Sequence, residues 1–136
     1  MAREKKVVDA SIIVKWFVSE SDSEQALQLR AEHIEGTILL VVPELAFTEV
    51  LNALRYKGGT AKSLGEALQA LFSMQFHVER TNRFLLEKAC NLALQYDLTL
   101  YDAVYVAVSQ IHGCALVTAD EKMIKVPNVI PLVKKK

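Results

Sequence analysis

The run Ile-Leu-Leu-Val-Val at positions 38–42 is continuously apolar and rich in β-branched residues. Such a pattern is typical of a strand covered by protein on both faces, because neighbouring side chains point to opposite sides of a sheet. Pro43 follows directly, and proline favours the first turn of a helix. We therefore predict a helix over residues 43–57, ended by Gly58 and Gly59. A buried strand that leads straight into a helix indicates a parallel sheet.

The same alternation continues in both directions from this segment. Further strands are predicted at 5–8, 76–79, 115–118 and 129–132, and further helices at 12–18, 23–35, 62–73, 84–96 and 102–111. No linker, repeat or low-complexity tract interrupts the pattern, so we predict a single domain over residues 1–136. Strands that alternate with helices predict an α/β fold, with helices on both faces of a parallel sheet.

The composition excludes several classes of function. The 136 residues include 16 basic and 16 acidic side chains, a balance that excludes nucleic-acid binding by bulk charge alone. No apolar run is long enough to span a membrane, and the start has no hydrophobic stretch of the kind found in signal peptides. Cys90 and Cys114 lie in apolar contexts and are predicted to be small core residues of a reduced, cytoplasmic protein.

Three acids occupy positions where parallel α/β proteins place functional groups. Asp9 ends the first predicted strand and Asp120 follows the fourth, so both belong to the carboxyl edge of the sheet, where ligands bind. Asp102 opens a helix that is apolar almost all round. Each also has a structural interpretation: Asp9 as a helix cap, Asp102 as part of a capping box with Thr99, and Asp120 as a turn residue.

Glu49 is the fourth acid, and it lies near the apolar face of its predicted helix. No cationic residue stands three or four positions away to pair with it. Four carboxylates brought together would repel one another, and a divalent cation such as Mg²⁺ or Mn²⁺, which prefers oxygen ligands, would stabilise them. The three histidines show no paired spacing, so no zinc site is predicted, and they are expected to be ordinary surface or core residues.

Four segments together resemble the PIN-domain family, in particular its short VapC-like members. They are Val7-Val8-Asp9-Ala10-Ser11, Glu49-Val50-Leu51-Asn52-Ala53-Leu54, Leu100-Tyr101-Asp102-Ala103-Val104-Tyr105-Val106-Ala107 and Leu116-Val117-Thr118-Ala119-Asp120. Each motif alone is weak, but four in this order and spacing cover almost the whole chain.

The resemblance implies a three-layer α/β/α sandwich with a short parallel sheet. It implies an Mg²⁺- or Mn²⁺-dependent ribonuclease, an RNA substrate and, for a toxin of this kind, a cognate antitoxin and a homodimer. The catalytic and metal-binding residues would be Asp9, Glu49, Asp102 and Asp120, with Ser11, Asn52 and Thr118 in support. Glu121 is the one residue that fits a further acid found in some members.

Two other functions remain open from the sequence. The chain is either a PIN nuclease that processes RNA without being a toxin, or a catalytically inactive PIN-fold binding module. Lysines at 5, 6, 15, 62, 122 and 125 are candidate phosphate contacts around the site. The helices at 43–57 and 62–73 carry more apolar side chains than one modest core is expected to bury, which predicts an interface; the alternative is that both helices simply pack on the sheet.

Overall fold

The computed structural model describes residues 3–133. Within that range the chain forms five strands and six α-helices in alternating order. They are β1 (Glu4–Val8), α1 (Ala10–Val14), α2 (Ser23–Glu35), β2 (Ile38–Pro43), α3 (Leu45–Tyr56), α4 (Ala61–Ser73), β3 (His77–Glu79), α5 (Arg83–Tyr96), α6 (Leu100–His112), β4 (Ala115–Thr118) and β5 (Val129–Pro131), with a 3₁₀ turn at Glu121–Met123 between the last two strands.

All strand pairs are parallel, and the strands lie in the order β3-β2-β1-β4-β5. Consecutive residues are fully buried in the central strands, as at Val7 and Val8 in β1 and at Val41 and Val42 in β2. Because consecutive strand residues face opposite sides, both faces of the sheet are covered by helices. This confirms the predicted three-layer α/β/α sandwich with a short parallel sheet.

Helix α6 is the most deeply buried helix of the described residues. Residues 103–109 are all buried, and the helix contacts β1, β2, β4 and α5. Its ends are well defined: the Thr99 hydroxyl accepts a hydrogen bond from the Asp102 amide, and Gly113 takes the left-handed conformation at φ 61°. The acid at one end of this helix and the histidine at the other are therefore held by a rigid element.

Several local predictions are wrong. Pro43 does not open a helix but ends β2, paired in register with Glu79, because a strand end tolerates a residue without an N–H. Cys90 is exposed rather than in the core, because the buried stripe of α5 follows Leu85, Ala89 and Leu92 and leaves position 90 outside it.

The apolar surface expected on α3 and α4 is exposed in part. Leu54 and Leu71 are buried in the core, whereas Phe72 is 68% exposed and Leu68 is 42% exposed. The Phe72 ring stacks on that of the half-buried Phe47, with centroids 4.8 Å apart. The two helices thus serve both the core and an exposed aromatic surface. None of the helices in residues 3–133 is long and apolar enough to cross a membrane.

Candidate active site

The strand order determines where a site can form. From β1 the chain moves to one side of the sheet for β2 and β3, and later returns to the other side for β4 and β5. Parallel sheets bind ligands at the point where the strand order reverses, beyond the carboxyl ends of the strands. Here that point lies between the end of β1, followed by Asp9, and the end of β4 at Thr118.

Asp9 is buried at this point, with a relative exposure of 5%. It occupies the cap position of α1, but its side chain makes no capping hydrogen bond. Its oxygens accept two other bonds: the Ser11 hydroxyl donates to Oδ1 at 2.5 Å, and the Thr118 hydroxyl donates to Oδ2. The two hydroxyls are themselves anchored by the amides of Ala119, at 3.1 Å from Ser11 Oγ, and Asp120, at 2.9 Å from Thr118 Oγ1.

This environment makes the Asp9 carboxylate costly to ionise. Burial raises the pKa of Asp9 to about 6, although the hydroxyls of Ser11 and Thr118 oppose part of that rise. The negative charge of Asp102 raises it further. A nearby positive charge would stabilise the ionised form of this buried carboxyl group and lower its pKa.

Glu49 reaches the same region from α3. Its half-buried carboxylate accepts a 2.6 Å hydrogen bond from the hydroxyl of Tyr105, which is 1% exposed. Burial raises the pKa of Glu49, the bond from Tyr105 opposes this, and the charge of Asp102 adds to it. Burial and the charge of Glu49 raise the pKa of Tyr105, so its hydroxyl stays protonated and remains a donor.

Asp102 lies in the first turn of α6 and is half-buried. Burial raises its pKa, the charge of Asp120 raises it further, and the Thr99 side chain and Lys122 oppose the rise. Asp120 itself caps the 3₁₀ turn, since its Oδ1 accepts a 3.0 Å hydrogen bond from the Lys122 amide. Asp120 therefore combines the turn role expected from sequence with a position beside another acid, whereas of the expected capping box the structure shows only the bond from the Asp102 amide to the Thr99 hydroxyl.

The structure brings the four acids into one electrostatic group centred on Asp102. Its charge acts on Asp9 and on Glu49, and Asp120 acts on it in turn. Within residues 3–133, however, no three of these four carboxylates have oxygens within 4.8 Å of one another. The acids form an open group rather than a closed cage, and Thr118 and Glu121 beside them line a surface depression together with Lys15.

Two further residues that the sequence predicts for the site are Asn52 and Glu121. Asn52 lies one turn beyond Glu49 on α3 but is exposed, and within residues 3–133 it makes no hydrogen bond to any of the acids. Glu121 is the first residue of the 3₁₀ turn, next to Asp120. The proposed role of Asn52 rests on the motif, and that of Glu121 rests on the motif and on its position next to Asp120.

Sequence reasoning missed Tyr105. A signal was available, because Tyr105 is the one polar aromatic residue inside the buried stretch of α6 and follows Asp102 by three positions, on the same face. A buried tyrosine hydroxyl needs a partner, and an acid without a cation needs a donor. Nothing in the sequence places α3 against α6, however, so the pairing with Glu49 needs the fold.

The three histidines, expected to be ordinary surface or core residues, lie in two different places. His33 is an ordinary core residue: Nδ1 accepts from the Leu40 amide at 3.0 Å, and Nε2 donates to the Met74 carbonyl at 2.7 Å. His77 and His112, by contrast, meet with ring centroids 4.9 Å apart and lie beside Glu79. The separation of 35 positions in the sequence hid this pairing, because β3 and the end of α6 meet only in the folded chain.

The chain belongs to the PIN-domain family, whose family model matches residues 6–129. This confirms the resemblance carried by the four motifs. Among curated proteins, Ribonuclease VapC3 of Pyrobaculum aerophilum is 33% identical over 127 residues, which cover 88% of this chain and 92% of the relative.

Solved structures agree on the fold. VapC20 of Mycobacterium tuberculosis, described as a toxin that cleaves the sarcin–ricin loop, has a TM-score of 0.76 at 18% identity, covering 96% of this chain and 99% of that one. A toxin–antitoxin complex from Klebsiella pneumoniae has a TM-score of 0.72 at 19% identity, with the same coverage of both chains. At these identities the likeness shows a shared three-dimensional fold.

Proposed function

We propose that this protein is a divalent-metal-dependent ribonuclease and the toxin of a VapBC-type toxin–antitoxin pair. The observation that carries the proposal is the buried Asp9 carboxylate at the switch point, which accepts hydrogen bonds from Ser11 and Thr118 and is acted on by the charge of Asp102. The relationship to a curated VapC ribonuclease over most of both chains supports the same activity. A scaffold that had lost catalysis would have had no need to keep all four acids.

The residues present fit a hard divalent ion. Each Asp9 oxygen accepts one hydrogen bond and keeps lone pairs for a further ligand. Burial and mutual repulsion raise the pKa values of Asp9, Glu49 and Asp102, a strain that a cation relieves. We propose Mg²⁺ or Mn²⁺, with Asp9, Glu49, Asp102 and Asp120 as direct or water-mediated ligands; Mg²⁺ retains several waters, which suits an open depression.

When bound, such an ion supplies Lewis acidity at the phosphate and lowers the pKa of a nearby water. The protein's own part is positioning. Ser11 and Thr118 fix both oxygens of Asp9, and the Tyr105 hydroxyl fixes Glu49. Hydrolysis of this kind needs no nucleophilic side chain.

The RNA substrate is expected to approach over the exposed rim of the depression. Lys122 lies near enough to Asp102 to lower its pKa, so we propose it as a phosphate contact. Lys15 is a weaker candidate, since its ammonium bonds to the Ser21 carbonyl at 2.8 Å and pairs with Glu20. Lys5 is not at this rim, because it lies near the amino end of β1 beside His112.

We further propose that the exposed aromatic surface on α3 and α4 binds a second copy of the chain, and that the dimer carries the antitoxin's binding surface. Phe72 is 68% exposed and stacks on the half-buried Phe47, and Leu68, one turn earlier on α4, is 42% exposed. An exposed apolar patch of this kind is typical of protein interfaces. An antitoxin helix placed in the adjoining groove would be able to direct a basic side chain toward the acids.

The test is RNA cleavage by the purified protein with Mg²⁺ or Mn²⁺, with and without a chelator. We expect cleavage that depends on the ion and that falls on the order of 100-fold or more in Asp102→Asn. Asp97→Asn is the matched control, because Asp97 is an exposed αL residue whose side chain makes no contact within residues 3–133. Full activity in the chelator, or in Asp102→Asn, contradicts the proposal.

A further inference from the structure

A second group of ligand-type side chains lies away from the acids. His77 and Glu79 are two positions apart on β3 and therefore project from the same side of that strand. His112 is the last residue of α6. One ligand atom from each of the three lies within 4.8 Å of the other two, and His112 Nε2 is 2.8 Å from Glu79 Oε1.

The composition of this group differs from that of the acidic site. Two imidazoles and one carboxylate are the ligand set of three-residue zinc sites that leave a fourth position for water. A tetrahedral ion with bonds of about 2.0–2.1 Å places its ligand atoms roughly 3.3 Å apart. The ligand atoms must close from 4.8 Å, and the exposed position of His77 leaves room for its ring, which lies edge-on to that of His112, to rotate.

We propose that His77, Glu79 and His112 form a binding site for one transition-metal ion of the Zn²⁺ class, distinct from the acidic site. The two sites belong to opposite ends of α6. Asp102 and His112 are ten residues apart, which corresponds to about 15 Å along the helix. The ion would join β3, an edge strand of three residues, to the end of α6.

Lys5 is the cation that faces this group. Its ammonium nitrogen lies 3.5 Å from His112 Nδ1, a contact that assigns the imidazole proton to Nε2 and directs that proton to Glu79. A metal ion at Nε2 requires the other neutral tautomer, in which the imidazole proton has moved from Nε2 to Nδ1. Lys5 must move away, which its exposed position allows. Replacing Lys5 by methionine should therefore strengthen metal binding.

The experiment is a Zn²⁺ titration of the full chain, with excess Mg²⁺ to occupy the acidic site and a chromogenic chelator as competitor. We expect one equivalent bound by the wild type, and at least a tenfold weaker affinity in each of His77→Gln and His112→Gln. Lys5→Met should bind as tightly or more tightly. Asp102→Asn, which alters only the acidic site, should bind as the wild type does.

Two further measurements keep the result decisive. Zn²⁺ should raise the Tm of the wild type but not that of His77→Gln, whose exposed position lets the variant fold even if His112→Gln does not. Co²⁺ in place of Zn²⁺ should give visible absorption that the same variant lacks. Binding that is unchanged in His77→Gln, or that is lost in Asp102→Asn, overturns the proposal. No RNA is present, so the outcome is independent of the proposed nuclease activity.

Discussion

At the scale of single residues, Asp9 combines burial with two hydroxyl donors. Two hydrogen bonds would ordinarily favour the charged form. The pKa of Asp9 is nevertheless raised to about 6, because burial destabilises the charged form more than the two bonds stabilise it. Polar contacts and a raised pKa therefore coexist at one carboxyl group. A residue that serves only as a helix cap would need neither.

This balance predicts how stability depends on pH without metal. The ordinary pKa of 3.8 describes Asp9 in the unfolded chain, so between about pH 4 and pH 6 the folded state holds the proton more tightly. The free energy of unfolding should fall as pH rises through this window, by about 2–3 kcal/mol in total. Because Glu49 and Asp102 also have raised pKa values, the share of Asp9 is the difference between the wild type and Asp9→Asn in urea unfolding with a chelator at pH 4 and pH 7.5.

Asp9→Asn should remove that dependence. At pH 7.5 and without metal the variant should match or exceed the wild type in free energy of unfolding, while the relative gain should shrink toward pH 4. Asp97→Asn is the control for replacing an exposed acid. An Asn variant that is less stable than the wild type at pH 7.5 would mean that Asp9 acts as a structural cap.

At the scale of secondary-structure elements, the Tyr105–Glu49 bond joins α6 to α3 at the site. Tyr105→Phe leaves the half-buried Glu49 with one donor fewer, so the free energy of unfolding should fall by about 1 kcal/mol. The pKa of Glu49 should rise further, because the lost bond was lowering it. The acid limb of the pH–rate profile for RNA cleavage should then move to higher pH.

Tyr101→Phe is the matched control on the same helix, since the Tyr101 side chain is 64% exposed. It should change neither the free energy of unfolding nor the acid limb. A Tyr105→Phe enzyme with an unshifted acid limb would show that the hydroxyl supports packing alone.

Most elements could be predicted from local pattern, because the strands are continuous apolar runs and the helices have clear ends, as at Thr99 and Gly113. Asp9 and Asp120 could be placed at one edge of the sheet because each follows a predicted parallel strand. The errors at Pro43 and Cys90 concern which face or which end of an element a residue occupies. The contacts of Tyr105 and His112 depend on how elements pack, which hydrophobic periodicity does not encode.

At the scale of the whole molecule, the exposed aromatic surface predicts self-association. We expect the wild type to be a dimer at tens of micromolar, and Phe72→Ser to raise the dimer dissociation constant about tenfold or more. Light scattering across a dilution series measures this. Phe84→Ser is the control, since Phe84 on α5 is 65% exposed, much like Phe72. A monomeric wild type, or dissociation in Phe84→Ser alone, contradicts the prediction.

The partners of Asp9 are separated from it by very different lengths of chain. Ser11 is two residues away, whereas Thr118 is 109 residues away and comes from the next strand of the sheet. During translation, therefore, Asp9 emerges early but lacks half of its support until β4 has been made and has paired with β1. A polypeptide cut short before residue 118, whether by a stalled ribosome or a premature stop codon, lacks both Thr118 and Asp120. The cell that makes this protein is exposed to the proposed activity only once synthesis has passed Thr118 and Asp120.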